Sequence, residues 1–99
     1  MKQLIAICAG AALSALVALP ASAACYADYK AKRGQPLELH YGVIELPDRA
    51  CVSLDAAAPV IARRIAVDGW TLLAVVRIFD ESGLTKKRRE RAGPYFLRY

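Results

Sequence analysis

From Leu37 the chain alternates. Leu37, Leu39, Tyr41 and Val43 fall on one parity, with Glu38, His40 and Gly42 on the other, the period-two pattern of a half-buried strand. Ile44 and Leu46 take the opposite parity, which predicts a bulge near Gly42, and Pro47-Asp48 ends the strand. Upstream, Tyr26 to Arg33 holds helix-tolerant residues (Ala27, Lys30, Ala31, Lys32) and stops at Gly34-Gln35-Pro36, so a short helix is predicted there. Downstream, Ala58, Ile61, Ala62 and Ile65 recur at helical spacing, with Arg63, Arg64 and Asp68 left for water. Ser53 or Asp55 offers the cap, and Pro59 suits the first turn. Gly69 stands where a left-handed residue closes a helix, immediately before Trp70.

Trp70 to Phe79 is apolar on both parities (Leu72, Ala74, Val76, Ile78 against Leu73, Val75, Phe79), the pattern of a central strand covered on both faces. Asp80-Glu81-Ser82-Gly83 is a turn, and Leu84 to Ala92 reads as a short basic helix. Tyr95 to Tyr99 reads as a terminal strand opened by Pro94. The expected class is α+β, a small three-stranded sheet with helices mainly on one face, in the order helix, strand, helix, strand, short helix, strand. Trp70 is expected to cover the seam between helix and sheet.

The amino-terminal block changes the picture. Leu4 to Leu19 carries no charge, Lys2 precedes it, Pro20 breaks it, and Ala21-Ser22-Ala23 supplies small residues before a cut. Residues 1–23 therefore read as a secretory signal peptide, leaving 24–99 as one small domain in the periplasm or beyond. An uncleaved anchor is the alternative, although 16 residues fall short of a full span. A lipoprotein acylated at Cys25 is another, since Ser22-Ala23-Ala24-Cys25 has small residues before the cysteine. With 99 residues in all, a doubly wound nucleotide-binding fold, a barrel enzyme or a second domain is excluded.

Of three cysteines, Cys8 falls in the leader, which leaves Cys25 and Cys51 as an even pair in an oxidising compartment. A structural disulfide is the favoured reading, with lipidated Cys25 or free thiols as the alternatives. No Cys-x-x-Cys motif is present, and Cys25, Cys51 and His40 match no zinc spacing. Neither metal nor cofactor is expected.

Net charge is +5 for the chain and +4 without Lys2. Lys86-Lys87-Arg88-Arg89, with Arg91, concentrates five cations in six residues. Such a segment can bind lipid headgroups, lipopolysaccharide or another polyanion, or it can be a solvated loop that contributes little packing. Export makes nucleic acid a poor partner and limits membrane contact to export itself or to the periphery. His40 has Glu38 two residues away on the same strand face, a pairing capable of acid–base work; a solvent-facing structural histidine is the plainer reading. No nucleophile motif accompanies it. The expected function is a non-enzymatic binding or accessory protein, with binding of anionic surfaces through residues 86–91 as the alternative.

Gly69-Trp70-Thr71-Leu72-Leu73, opening an apolar strand after a helix, and the ending Tyr95-Phe96-Leu97-Arg98 resemble a family of small bacterial α+β domains of unknown function. Its signature is Glu-Gly-Trp-Glu-Leu before a valine-rich strand; here Asp68 and Thr71 stand at the two glutamate positions, and the likeness covers about residues 37–99. Cys25-Tyr26-Ala27-Asp28-Tyr29-Lys30, Leu39-His40-Tyr41-Gly42-Val43 and Tyr95-Phe96-Leu97-Arg98-Tyr99 resemble small exported proteins of Gram-negative bacteria. These resemblances imply a fold and a compartment and carry over no catalytic residue.

Overall fold

The computed structural model describes residues 24–99, so the predicted leader and Cys8 lie outside the described residues. Three antiparallel strands, β1 (Cys25–Arg33), β2 (Glu38–Leu46) and β3 (Thr71–Phe79), form one sheet in the order β2-β1-β3. A long helix, α1 (Leu54–Ile65), lies between β2 and β3, and a short one, α2 (Lys86–Ala92), follows β3. The class is α+β with a three-stranded sheet, as expected. The order is strand, strand, helix, strand, helix, which differs from the expected order at both ends.

Residues 26–33 form a strand rather than a helix, and this strand is the central one. Helix propensity in Ala27, Lys30 and Ala31 is a weak force beside two hydrogen-bonded edges. The alternation confirms the assignment: Cys25, Ala27, Tyr29 and Ala31 enter the main core, while Tyr26 and Asp28 are buried on the other face. Gly34-Gln35-Pro36 is the hairpin turn into β2, with Gly34 at φ 78°. An Arg33–Glu38 ion pair of 3.1 Å closes its base.

The β1–β2 register runs unbroken from Cys25↔Leu46 to Arg33↔Glu38, so no bulge occurs at Gly42. Gly42 serves a different need. A Cβ there would lie 2.5 Å from Cζ and Oη of Tyr29, whose ring crosses the strand over the bare backbone. The core parity of β2 is therefore His40, Gly42, Ile44 and Leu46, while Leu37 and Leu39, expected inside, are exposed.

The bulges lie on β3. Its ladder with β1 shifts register between Asp28 and Tyr29 and again between Lys30 and Ala31, leaving Val76 and Leu73 as extra residues. Leu72, Val75 and Ile78 then pack on the core at a three-residue interval. β3 is thus an edge strand, exposed along much of its length, and not the covered central strand expected from its apolarity.

Helix α1 buries Ala57, Val60, Ile61 and Ile65 against the Tyr29 face of the sheet. Ser53 caps it by accepting from the Ala56 N–H at 2.9 Å, which puts Pro59 in the second turn rather than the first. Gly69 takes φ 83° as expected, and Trp70 is buried in the core beside it. Helix α2 packs on the opposite face, above Asp28, Tyr41 and Phe79, so the helices are divided between the two faces. Residues 95–99 do not form a strand. Gly93 at φ 54°, Pro94 without an N–H and Leu97 at φ 53° interrupt extended pairing. One parallel bridge survives, in which the Leu97 N–H donates to the Val43 carbonyl at 2.8 Å.

Cys25 and Cys51 are joined by a disulfide that ties the start of β1 to the entry of α1 across 26 positions. On chain-entropy grounds its removal costs about 3–4 kcal/mol. A Cys25→Ala/Cys51→Ala variant should lose that amount in urea denaturation. Gly42→Ala should cost about 1–3 kcal/mol, since the added methyl overlaps the Tyr29 ring.

Candidate functional site

The basic segment is partly absorbed into the fold. Arg88 reaches the Asp28 carboxylate, 3.3 Å from Nε to Oδ2, donates to the Gly83 carbonyl at 2.9 Å and covers the Phe79 ring at 4.1 Å. The Asp28 side chain is only 4% exposed, and Tyr41 Oη also donates to it at 2.7 Å. Arg91 lies 4.0 Å over Tyr41 and Arg89 4.8 Å over Phe96. Lys86 stands 3.8 Å from Glu90 one turn on, and both are solvated. The expectation that the segment contributes little packing therefore fails at Arg88. Its local sequence is uniformly charged, and only the distant Asp28 distinguishes one cation from the others.

On the α1 side, the carboxy-terminal segment wraps round the β2 edge and closes an aromatic cluster. Tyr95 stacks on His40 with centroids 3.7 Å apart, and Trp70 meets the same ring edge-on at 4.2 Å. The far side of Trp70 carries the Arg33 guanidinium at 4.1 Å, and Arg33 also donates to the Asp68 carbonyl. Tyr99 Oη donates to Asp68 Oδ2 at 2.7 Å, anchoring the chain's end. Trp70 is thus buried within this cluster, and Gly69, at φ 83°, sits beside it.

His40 is buried rather than solvent-facing. Its Nε2 lies 3.0 Å from Tyr29 Oη, and Glu38 is engaged by Arg33, so Glu38 and His40 do not pair. Burial, and then the Arg33 and Arg98 charges, push the imidazole pKa down to about 4. Nδ1 is buried without a partner, so a second N–H would be unsatisfied. Burial also raises the Tyr29 phenol well above its usual range. This pair is neutral near pH 7 and acts as packing.

A further feature is the half of the α2-side face that α2 leaves open. There Lys30, Leu39, Tyr41 and Leu73 surround a shallow groove of about 270 Å³. Leu39 is 65% and Leu73 50% exposed. The alternation of β2 predicts Leu39 inside, and the unbroken apolarity of β3 predicts the same for Leu73; both are exposed. The three-residue spacing of Leu72, Val75 and Ile78 was the one signal for Leu73, visible only once bulges are considered. Among the described residues no three His, Cys, Asp or Glu side chains gather as a metal site. Compared with known proteins, the chain matches no family model, no curated protein and no solved structure.

Two measurements follow from these contacts. Arg88→Gln leaves a buried carboxylate without its cation and should cost about 3–5 kcal/mol, whereas Lys86→Gln and Lys87→Gln should each stay within about 0.5 kcal/mol. For His40, the unfolded chain titrates near the ordinary value of 6.5 and the folded one near 4. The unfolded state therefore binds more protons between those values. The stability associated with neutral His40 is complete above pH 6.5 and is lost as pH falls toward 4, with a slope approaching about 1.4 kcal/mol per pH unit. In urea melts across that window, His40→Gln should lack this part of the slope.

Proposed function

We propose that this chain is an exported, disulfide-stabilised, non-enzymatic binding or accessory protein of the bacterial envelope, which engages its partner through the open half of the sheet face. The observation that carries the binding role is the groove over Leu39, Tyr41 and Leu73. In so small a domain, two neighbouring leucines at 65% and 50% exposure are apolar surface left uncovered where a helix already spans the rest of the face. Export is supported by the leader pattern of residues 1–23 and by the Cys25–Cys51 disulfide, which suits an oxidising compartment. The resemblance to small exported proteins of Gram-negative bacteria points the same way.

A second reading, attraction to anionic surfaces through Lys86, Lys87, Arg88, Arg89 and Arg91, draws support from one contact. Arg91 lies over Tyr41 and so borders the same groove.

Intact mass of the protein from the cell envelope, without reductant, should match a chain beginning at Ala24 with no free thiol. An intact leader, a diacylglycerol adduct or alkylatable cysteines would overturn the export half of the reading. For the binding half, an uncharged, environment-sensitive apolar dye (Nile red) should brighten on the native protein. Leu39→Asn/Leu73→Asn should abolish that signal while leaving the melting temperature within a few degrees. Unchanged brightening in the double variant would remove the groove as the binding site.

A further inference from the structure

The groove has a rim of one sign. Lys30 is the only charged side chain lining it. The strand register places Lys32 on the same face of β1 and Arg77, paired with Asp28, on the same face of β3; both are exposed. Arg91 enters from α2 over Tyr41. The carboxylates of that face lie elsewhere. Asp28 is buried and engaged by Arg88 and Tyr41, Glu45 and Glu81 sit toward the other end of the sheet near Tyr26, and Glu90 of α2 stands 3.8 Å from Lys86. An apolar floor with a cationic border and no carboxylate among its lining residues matches the interface of an anionic bilayer, with acyl carbon below the headgroups and phosphate at their level. Lysine stems lie along apolar surface while their ammonium groups reach such phosphates.

Resting on the binding reading above, we propose that the open sheet face is a peripheral docking surface for an anionic phospholipid membrane. Leu39 and Leu73 enter the headgroup boundary, and Lys30, Lys32, Arg77 and Arg91 contact the lipid phosphates. The basic helix contributes through Arg91 at its groove-facing end, while Arg88 is withheld by Asp28. Binding is therefore a property of the folded face and not of residues 86–91 as a free polycation. Each cation near an anionic surface strengthens partitioning about fivefold, so the rim and floor together bind without an enclosed pocket.

The test is co-sedimentation of the envelope-purified, disulfide-bonded protein with phosphatidylcholine vesicles, with and without phosphatidylglycerol. Binding is expected only to the anionic vesicles and should weaken steeply as salt is raised. Lys30→Gln/Lys32→Gln should reduce it about 25-fold, by the same fivefold factor for each residue. Leu39→Asn/Leu73→Asn should abolish it with an unchanged circular dichroism spectrum. Arg49→Gln/Arg63→Gln, the same charge change in the segments on the α1 side, should leave it within about twofold by the same arithmetic, since neither cation reaches the surface. No partitioning at low salt, or equal losses from both charge variants, would overturn the membrane inference. If vesicle binding is absent while the apolar dye still occupies the groove, the binding face stands and its partner is a protein or another soluble ligand. Loss of neither vesicle nor dye binding in the leucine variant would defeat both readings.

Discussion

Burying the Asp28 carboxylate in the middle strand is the constraint on which much of the architecture depends. β1 has a neighbour on each edge and a helix on each face, so alternate residues must satisfy opposite cores. Asp28 cannot be left there without a cation. Arg88 supplies one from sixty residues away, and that contact sets where α2 lies. With Arg88 placed, Arg91 falls over Tyr41 and Arg89 over Phe96. The chain leaving α2 then meets the β2 edge at Val43, and Tyr95 arrives on His40 from the other side of the sheet. A single buried charge thus links the two faces.

The same placement explains what remains open. Seven residues of helix are too few to cover a face nine residues long, since a helix rises 1.5 Å per residue and a strand more than 3 Å. The half beyond Tyr41 is left to Leu39, Leu73 and Lys30. The two irregularities of β3 contribute as well, because they take Leu73 and Val76 out of simple alternation and interrupt the regular edge that would otherwise invite another strand. Tyr29 over Gly42 and His40 against Tyr95 and Trp70 pack the opposite face, where the Tyr29–His40 pair is uncharged near pH 7.

Much of this was legible along the chain, and the failures have physical causes. α1, its glycine stop, the buried Trp70, the Cys25–Cys51 pairing, the class of fold and the extent of β2 follow from local periodicity, capping chemistry and cysteine parity, which act within one element or leave one choice. The identity of β1, the edge position of β3 and the irregular carboxy-terminal segment do not. Alanine and lysine in β1 favour a helix locally, and two neighbouring strands outweigh that preference. Apolar residues on both parities of β3 look the same whether they are covered by a second helix or shifted by bulges.

For the candidate site the division is sharper. Composition and spacing determined that five cations crowd residues 86–91, that His40 has Glu38 two positions away and that Leu39 alternates with polar neighbours. Only the tertiary structure decided that Arg88 belongs to Asp28, that His40 is buried among aromatic rings and that Leu39 and Leu73 share an uncovered floor beside Lys30. Each of these depends on which face a residue presents and on what lies across from it. Sequence periodicity assigns residues to faces within a strand or helix; the packing of distant segments decides which of those faces is covered.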